Sequence, residues 1–332
     1  MLAGVNDARF SFLVGPFFMT RCSFPLVTIV TPSFNQAPFL RAAIESVLAQ
    51  DYPAVEYLVM DGGSTDGSVD ILKEFTGRLT WESGRDAGQA DALARGFARA
   101  RGAILGWLNA DDLLFPGALA QAVAHLEAHP DVALVYGDAV YVDIEGRPLM
   151  PARQVRPFNL NRLRYWSDYI VQPSAFFRRA AYEEVGGLDT SLHWALDYDL
   201  WLKLGARHRV DYLRHIWSGY RIQGDSKTVT GSFKRIAEVE VMARRHGLGL
   251  PADFRVEKAA LHVKEARRAL AAGAPGKALA ALAAGIATIL SSWRALWRCC
   301  SWPLWRDILR NRAALRRGRG AAAEHETLGR VL

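Results

Sequence analysis

Ala103-Ile104-Leu105-Gly106-Trp107-Leu108-Asn109-Ala110-Asp111-Asp112 runs from an apolar stretch directly into two adjacent aspartates. A short apolar run reads as a buried strand, and a carboxylate pair at its end is costly unless positive charge meets it. A divalent cation would do so. Mg²⁺ and Mn²⁺ take oxygen ligands, keep several waters and are commonly shared between one or two carboxylates and a substrate diphosphate. Residues 109–112 also fit a plain turn, or a helix N-cap ahead of Pro116.

Upstream of this run the chain alternates between strand and helix patterns. Leu26-Val27-Thr28-Ile29-Val30 is a β-rich run, and residues 38–50 place Leu40, Ile44, Val47 and Leu48 at helical spacing. Residues 55–60 read as a second strand ending at Asp61, 68–75 as a short helix and 79–82 as a third strand. A helix over 88–101 then leads into the fourth strand at 103–108. Strands separated by such helices imply right-handed crossovers and a parallel sheet, with the ligand crevice at the carboxyl ends of the strands. Three of those ends carry polar residues: Thr31-Pro32-Ser33-Phe34-Asn35, Asp61-Gly62-Gly63-Ser64-Thr65-Asp66-Gly67, and Asn109 to Asp112. Their convergence predicts a site.

The glycines after Asp61 lack the Gly-Lys-Ser/Thr ending of a P-loop and do not form G-x-G-x-x-G before a helix, which argues against ATP or a nicotinamide cofactor. Asp61 is instead placed to accept a hydrogen bond from a nucleobase or ribose while Gly62 and Gly63 let the backbone approach closely. The alternative is a tight Asp-Gly turn, with Asp66 capping the next helix.

Residues 27–70 and 81–119 resemble the nucleotide-sugar domain of an inverting family 2 glycosyltransferase. The resemblance implies an α/β fold of the GT-A type with a mostly parallel central sheet, followed here by a C-terminal helical appendage. It assigns Asp61 to the base, Asp111 to the ribose side and Asp112 to the metal, expected to be Mn²⁺ or Mg²⁺. Thr31, Pro32, Ser33, Asn35, Gly62 and Gly88 join the implied nucleotide-sugar site. Glu82-Ser83-Gly84-Arg85-Asp86-Ala87-Gly88-Gln89-Ala90-Asp91-Ala92-Leu93 is similar to a stretch typical of a bacterial polysaccharide subgroup, in which Gln89 and Asp91 face the nucleotide. Asn109 stands where many members carry an acidic residue and is counted with the nucleotide-sugar residues.

Further along, Gly186-Gly187-Leu188-Asp189 and then Ala195-Leu196-Asp197-Tyr198-Asp199-Leu200-Trp201 resemble the start of the family's catalytic helix, with Asp197 as the matching base. A carboxylate at a helix start is stabilised as the anion by the helix dipole and free backbone N–H groups, and it can still take a proton from a sugar hydroxyl. Asp197 and Asp199 also fit ordinary N-terminal helix charges. The family usually has Glu before this Asp; this chain has Leu196. Gln172-Pro173-Ser174-Ala175-Phe176-Phe177 is similar to a strand on the acceptor side, and by itself reads as an edge strand with a proline. Tyr220 to Thr228 resembles a segment that folds over the donor diphosphate, where Arg221 and Lys227 are suited to pair with it; a solvated loop fits too.

The resemblance therefore implies single displacement at an anomeric carbon with inversion. The donor would be a nucleotide-sugar, a UDP-sugar favoured, and the acceptor a saccharide or lipid-linked hydroxyl in cell-surface polysaccharide or glycolipid synthesis. The rival is a catalytically silent scaffold of the same fold that binds a nucleotide-sugar or glycan.

The 332 residues, half of them apolar, are enough for one large α/β domain and an appendage. The expected division is an ill-defined extension over 1–24, a nucleotide-sugar half over 25–137, an acceptor half over 138–250, amphipathic helices over 251–311 and a disordered tail over 312–332. Cys22, Cys299 and Cys300 have no metal-ligand spacing, and a reduced cytoplasmic setting is the simpler reading. From Arg255 onward there are 15 Lys and Arg against 5 Asp and Glu; the remainder has 26 against 29, so the basic excess sits in the C-terminal segment. Within it Ile286, Ile289, Leu290, Trp293, Leu296, Trp297, Leu304, Ile308 and Leu309 recur at about helical spacing, with Trp302, Trp305 and several arginines between. Trp with Arg marks a membrane–water interface, which predicts a peripheral helix over 286–310 on the inner face of the plasma membrane. Packing of that face on the catalytic domain or a second subunit is the alternative. Nucleic acid is not an expected partner, because Trp within apolar faces suits lipid or protein contact. Residues 10–19 are too short and lack the small-residue cleavage site of a signal peptide; Met1 and Met19 both remain candidate starts, the family-like core beginning near Pro25.

Overall fold

A computed structural model describes residues 24–222 and 233–292 of the chain. The extension before Phe24, Lys227, all three cysteines and the stretch from Trp293 onward lie outside the described residues.

β1 (Val27–Ser33), α1 (Ala37–Leu48), β2 (Val55–Asp61), α2 (Ser68–Glu74), β3 (Thr80–Ser83), α3 (Gln89–Arg99) and β4 (Ile104–Trp107) follow the alternation expected from the sequence. Then come β5 (Leu113–Leu114), α4 (Ala118–Ala128), β6 (Val132–Val142), β7 (Pro148–Pro151), α5 (Leu160–Tyr165), a 3-10 turn (Gln172–Ser174) and β8 (Ala175–Arg178). α6 (Arg179–Glu184), α7 (Leu196–Arg207), β9 (Arg209–Arg221), α8 (Phe233–Arg245), α9 (Ala252–Ala271) and α10 (Pro275–Leu290) complete the described chain.

The strands form one nine-stranded sheet in the order β3-β2-β1-β4-β8-β6-β9-β5, with β7 on β6. The parallel reading holds for β3, β2, β1 and β4. Beyond β4 the sheet is mixed: β8 runs antiparallel to both β4 and β6, while β9 is parallel to β6. β7 is antiparallel to β6 for a local reason. β6 and β7 are joined by a tight turn in which the Gly146 N–H donates to Asp143 O (3.0 Å), a link that only an antiparallel pair can use.

Both faces of the sheet are covered, and the side chains alternate accordingly. Val27, Ile29, Tyr57, Val59 and Ile104 pack on one face with α1, α2 and α4; Val30, Leu58, Met60, Leu105 and Trp107 pack on the other with α3 and α7. α3 lies so close to β1 that a Cβ on Gly96 would overlap Val30 Cγ1.

Two boundaries differ from the sequence reading. The division at 137/138 falls inside β6, so the two halves share a strand. Pro173 belongs to the 3-10 turn ahead of β8, which lies between β4 and β6 rather than at an edge; placed there, the proline removes no donor from the ladder. The first turn of α9, at the start of the expected appendage, belongs to the core, where Phe254 stacks on Tyr198 at 5.8 Å. α10 packs on α9 through Ala278 and Gly285 and leaves Leu279, Leu282, Ile286 and Leu290 exposed.

Candidate active site

The carboxyl ends of β1, β2, β3 and β4 surround a cavity of about 730 Å³, within the size range of small-ligand pockets. Of the residues singled out in the sequence, Pro32, Ser33, Gly62, Gly88, Gln89, Asn109, Asp111 and Asp112 line it. Thr31, Asn35, Asp61 and Asp91 stand behind the wall and build it.

Asp61 is 3% exposed. Its Oδ2 accepts from the Gly63 and Ser64 N–H groups (3.0 and 2.9 Å) and from Ser83 Oγ (2.6 Å), and its Oδ1 from Ser64 Oγ (2.5 Å). These bonds shape the loop whose glycines face the cavity. A Cβ on Gly62 would lie 2.9 Å from Asp86 Oδ2, so a side chain there would displace the Asp86 carboxylate. Asn35 takes a left-handed φ of 51°, and its Oδ1 accepts from the Thr65 N–H (2.9 Å). Thr31 Oγ1 pairs with Tyr57 OH at 3.0 Å. Asp66 holds two helix starts, accepting from the N–H groups of Ala37 (2.9 Å) and Ser68 (3.0 Å). Asp91 accepts from the Ala87 N–H (3.2 Å) and so fixes the turn that presents Gly88 and Gln89.

At the end of β4 a polar network surrounds the aspartate pair. Gln89 Nε2 donates to Asn109 Oδ1 (2.7 Å); Asn109 Nδ2 donates to Asp112 Oδ2 and to Gln172 Oε1 (both 3.1 Å); Gln172 Nε2 donates to Trp107 O (2.6 Å). Asp112 Oδ1 accepts from the Arg221 N–H (2.9 Å). Burial and the charge of Asp111 hold the Asp112 carboxyl well above the usual carboxylate range. Among the described residues no three His, Cys, Asp or Glu side chains are grouped to hold a metal. The donor set still fits a hard cation that draws its other ligands from water and phosphate. It is all-oxygen, its two carboxylates repel each other, and each Asp112 oxygen accepts one hydrogen bond from the protein and keeps a lone pair.

Arg221 is not where the sequence reading put it. The side chain is buried and turned away from the cavity: Nε donates to Asp111 O (2.6 Å), and Nη1 to Asp143 O (2.6 Å) and Ile144 O (2.7 Å). Its guanidinium also lies 4.9 Å from the Phe39 ring centroid. The reason is local: β9 ends under the Asp111 carbonyl, and the planar guanidinium satisfies three main-chain oxygens there. Among the described lining residues the one Arg or Lys is Arg85. Sequence reasoning passed over it, along with Phe34 and His193, although Phe34 and Arg85 both sit inside stretches quoted for their neighbours.

Asp197 is in the first turn of α7 and its Oδ1 accepts from the Tyr198 N–H (2.8 Å). It is not itself a lining residue; His193, four positions earlier, is. α7 is anchored to the strand that ends in the aspartate pair by the stacking of Trp201 on Trp107, 5.7 Å apart and 12° from parallel. Asp168, which the sequence did not single out, shares this neighbourhood. Burial and the charge of Asp197 hold its carboxyl well above the usual range.

The model of the family described as "Glycosyl transferase family 2" matches residues 28–186, which include the ends of β1, β2, β3 and β4 at the cavity. An uncharacterized glycosyltransferase of Mycobacterium tuberculosis is 32% identical over 187 residues, covering 54% of this chain and 69% of that one. This chain belongs to glycosyltransferase family 2. A PGL/p-HBAD biosynthesis glycosyltransferase of Mycobacterium bovis is 31% identical over 180 residues, 53% of this chain and 68% of its own. The family 2 fold extends to a mannosyltransferase from Pyrobaculum calidifontis, solved in complex with GDP-Man and Mn²⁺, at a TM-score of 0.54 and 25% identity over 89% of this chain and 81% of the other. The family 2 chain is thus a GT-A-type glycosyltransferase with relatives in glycolipid synthesis.

Proposed function

We propose that this chain is a metal-dependent, inverting glycosyltransferase that moves a sugar from a nucleoside-diphosphate-sugar to a hydroxyl of a saccharide or lipid-linked acceptor. The observation that carries this reading is one cavity with the Asp111–Asp112 pair on one wall and His193, at the approach to α7, on another. A second observation supports a ligand: Ser33 Oγ is buried in the cavity wall and has no hydrogen-bond partner among the described residues.

In this reading Gly62 and Gly63 take the nucleoside against backbone, Phe34 and Asn109 stand beside it, and Arg85 faces the diphosphate. Asp61 acts through the loop it holds. Asp112, with Asp111, would hold Mn²⁺ or Mg²⁺, which supplies charge neutralisation for the departing nucleoside diphosphate. Asp197 takes the proton of the acceptor hydroxyl as that oxygen bonds to the anomeric carbon; the C–O bond to the diphosphate breaks on the opposite face, so configuration inverts. In sequence α10 is followed by the basic, Trp-rich residues 293–310, and we assign the exposed apolar stripe of α10 to an anionic membrane face on which a lipid-linked acceptor would lie. No helix among the described residues is long and apolar enough to cross a membrane.

The test is a screen of the purified protein with Mn²⁺ and a panel of UDP- and GDP-sugars, read as nucleoside diphosphate release, followed by NMR of the product. Release with one donor and an anomeric configuration opposite to the donor's is expected. Retention of configuration, or no release with any donor and acceptor, overturns the proposal.

A further inference from the structure

The loop that delivers α7 is held by a carboxylate from another helix. Glu238 of α8 reaches across to residues 193–195, and its Oε1 accepts from three consecutive main-chain N–H groups: His193 (2.9 Å), Trp194 (2.6 Å) and Ala195 (2.9 Å). Successive N–H groups converging on one point form a concave anion-binding nest, and here the anion is a side chain of the protein itself. Ala195 is the N-cap of α7 and offers no side-chain cap of its own. Without Glu238 the arch before Asp197 would lose the acceptor for three donors at once.

The surrounding contacts make this arch a defined object. Its far end is held by the same segment of chain, where Arg245 bonds Asp189 and Ser191. Just beyond α8, His246 Nε2 meets Asp199 Oδ1 at 2.8 Å, and Lys203 Nζ lies 2.6 Å from Asp199 Oδ2. The body of α7 is thereby clamped on a 2% exposed carboxylate, while Glu238 holds the main chain of His193, which faces the cavity. The His193 ring stands over Gly88, whose added Cβ would come within 4.0 Å of His193 Nδ1.

We propose that Glu238 is a positioning residue of the transfer reaction: by gathering the N–H groups of His193, Trp194 and Ala195 on one oxygen it sets where the His193 ring meets the cavity and where Asp197 enters α7. The inference rests on Asp197 being the base. A base must sit within hydrogen-bond reach of the hydroxyl it deprotonates, and displacement by about 1 Å far from the chemistry can lower rate by about 10²-fold. Glu238 itself touches neither substrate nor metal.

The experiment uses the full chain. Glu238→Ala is expected to lower kcat by about 10- to 100-fold while the donor KM changes by less than about threefold, since the nucleotide wall is built by other strands. Glu238→Gln keeps an acceptor oxygen in place and should return kcat to within about threefold of wild type. Placed on top of Asp197→Asn, Glu238→Ala should remove little further activity, because a positioning residue has nothing left to position. Hydrogen exchange gives a readout free of turnover: the His193, Trp194 and Ala195 amides lose protection in Glu238→Ala and keep it in Glu238→Gln. Should Glu238→Ala fail to fold, Glu238→Asp takes its place; it keeps the charge, withdraws the oxygen by one methylene and should show the same kcat loss. Unchanged kcat with lost protection, or an equal loss in the Asp197→Asn background, overturns the role of Glu238. Full activity of Asp197→Asn by itself overturns the base assignment instead.

Discussion

At the scale of single residues the proposed chemistry falls to carboxylates in unlike surroundings. Asp112 is buried beside Asp111 and tied to Asn109 and the Arg221 main chain. An uncompensated charge in that position is costly, so Asp112→Asn is expected to leave the thermal stability of the metal-free protein unchanged or slightly raised. It should abolish turnover, and the gain in Tm that Mn²⁺ gives the wild type by binding only the folded state should vanish. An Asp112→Asn variant that still gains Tm with Mn²⁺ would show that the ion binds elsewhere. Asp197→Asn keeps the shape and its bond from the Tyr198 N–H but cannot take a proton; transfer should fall by about 10²-fold or more with donor affinity retained. Loss of donor binding in step with activity, read by calorimetry, would make Asp197 structural. Asp168 offers a pH test. Its carboxyl is raised in the folded state by burial and by Asp197, so the native protein holds a proton that the unfolded chain has released. The stabilisation from that proton is greatest below the carboxyl's unfolded value, near pH 4, and declines by about 1.4 kcal/mol per pH unit until the pH passes the folded value. Asp168→Asn removes that decline, so its Tm should gain on the wild type as the pH rises above about 5. A gap that does not widen with pH rejects this cause.

At the scale of elements, helices and loops bring residues distant in the chain to one cavity. α3 can deliver Gln89 to Asn109 only because it lies nearly in contact with β1 at Gly96. Two effects oppose each other in Gly96→Ala. Alanine is favoured over glycine in a helix by up to about 1 kcal/mol, whereas overpacking a tight core costs about 1–3 kcal/mol. With the new Cβ driven into Val30 Cγ1 the clash dominates, so a net loss of stability is expected in urea unfolding. A gain would mean that α3 can move off the sheet without penalty. The Trp107–Trp201 stack plays the same part for α7, joining the helix that carries Asp197 to the strand that carries the aspartate pair.

At the scale of the whole molecule the charge is divided, with a slightly acidic body and a basic C-terminal segment. Leu279, Leu282, Ile286 and Leu290 are 38–69% exposed along α10, an apolar stripe with no cover among the described residues. The full chain should therefore sediment with anionic vesicles at low salt, and each Lys or Arg near the surface contributes about 1 kcal/mol. Replacing Leu279, Ile286 and Leu290 together by Ser should weaken that binding at high salt, where charge is screened, with little change in Tm. Sedimentation indifferent both to anionic lipid and to these substitutions would refute the membrane assignment. Removal of everything after Pro251 is a poor test, because Phe254 and Val256 of α9 belong to the core.

The sequence by itself determined the strand–helix alternation from Val27 to Trp107, the three polar strand ends and the pair Asp111–Asp112. These follow from local rules, apolar periodicity and turn residues, which act over a few positions whatever the rest of the chain does. Most of the wall of the cavity was legible for the same reason, since a strand end and its loop are one stretch of sequence. What only the tertiary structure decided is how those stretches share their hydrogen bonds. It turned Asp61 inward onto Gly63, Ser64 and Ser83, folded Arg221 against main-chain carbonyls, brought Arg85 and His193 to the cavity and set Asp168 beside Asp197. It also made the second half of the sheet mixed and placed β8 in its middle. Each of these outcomes depends on how separate stretches of the chain pack together. No local periodicity encodes which buried donor meets which acceptor; only the packed chain, in which every buried polar group must find a partner, settles it.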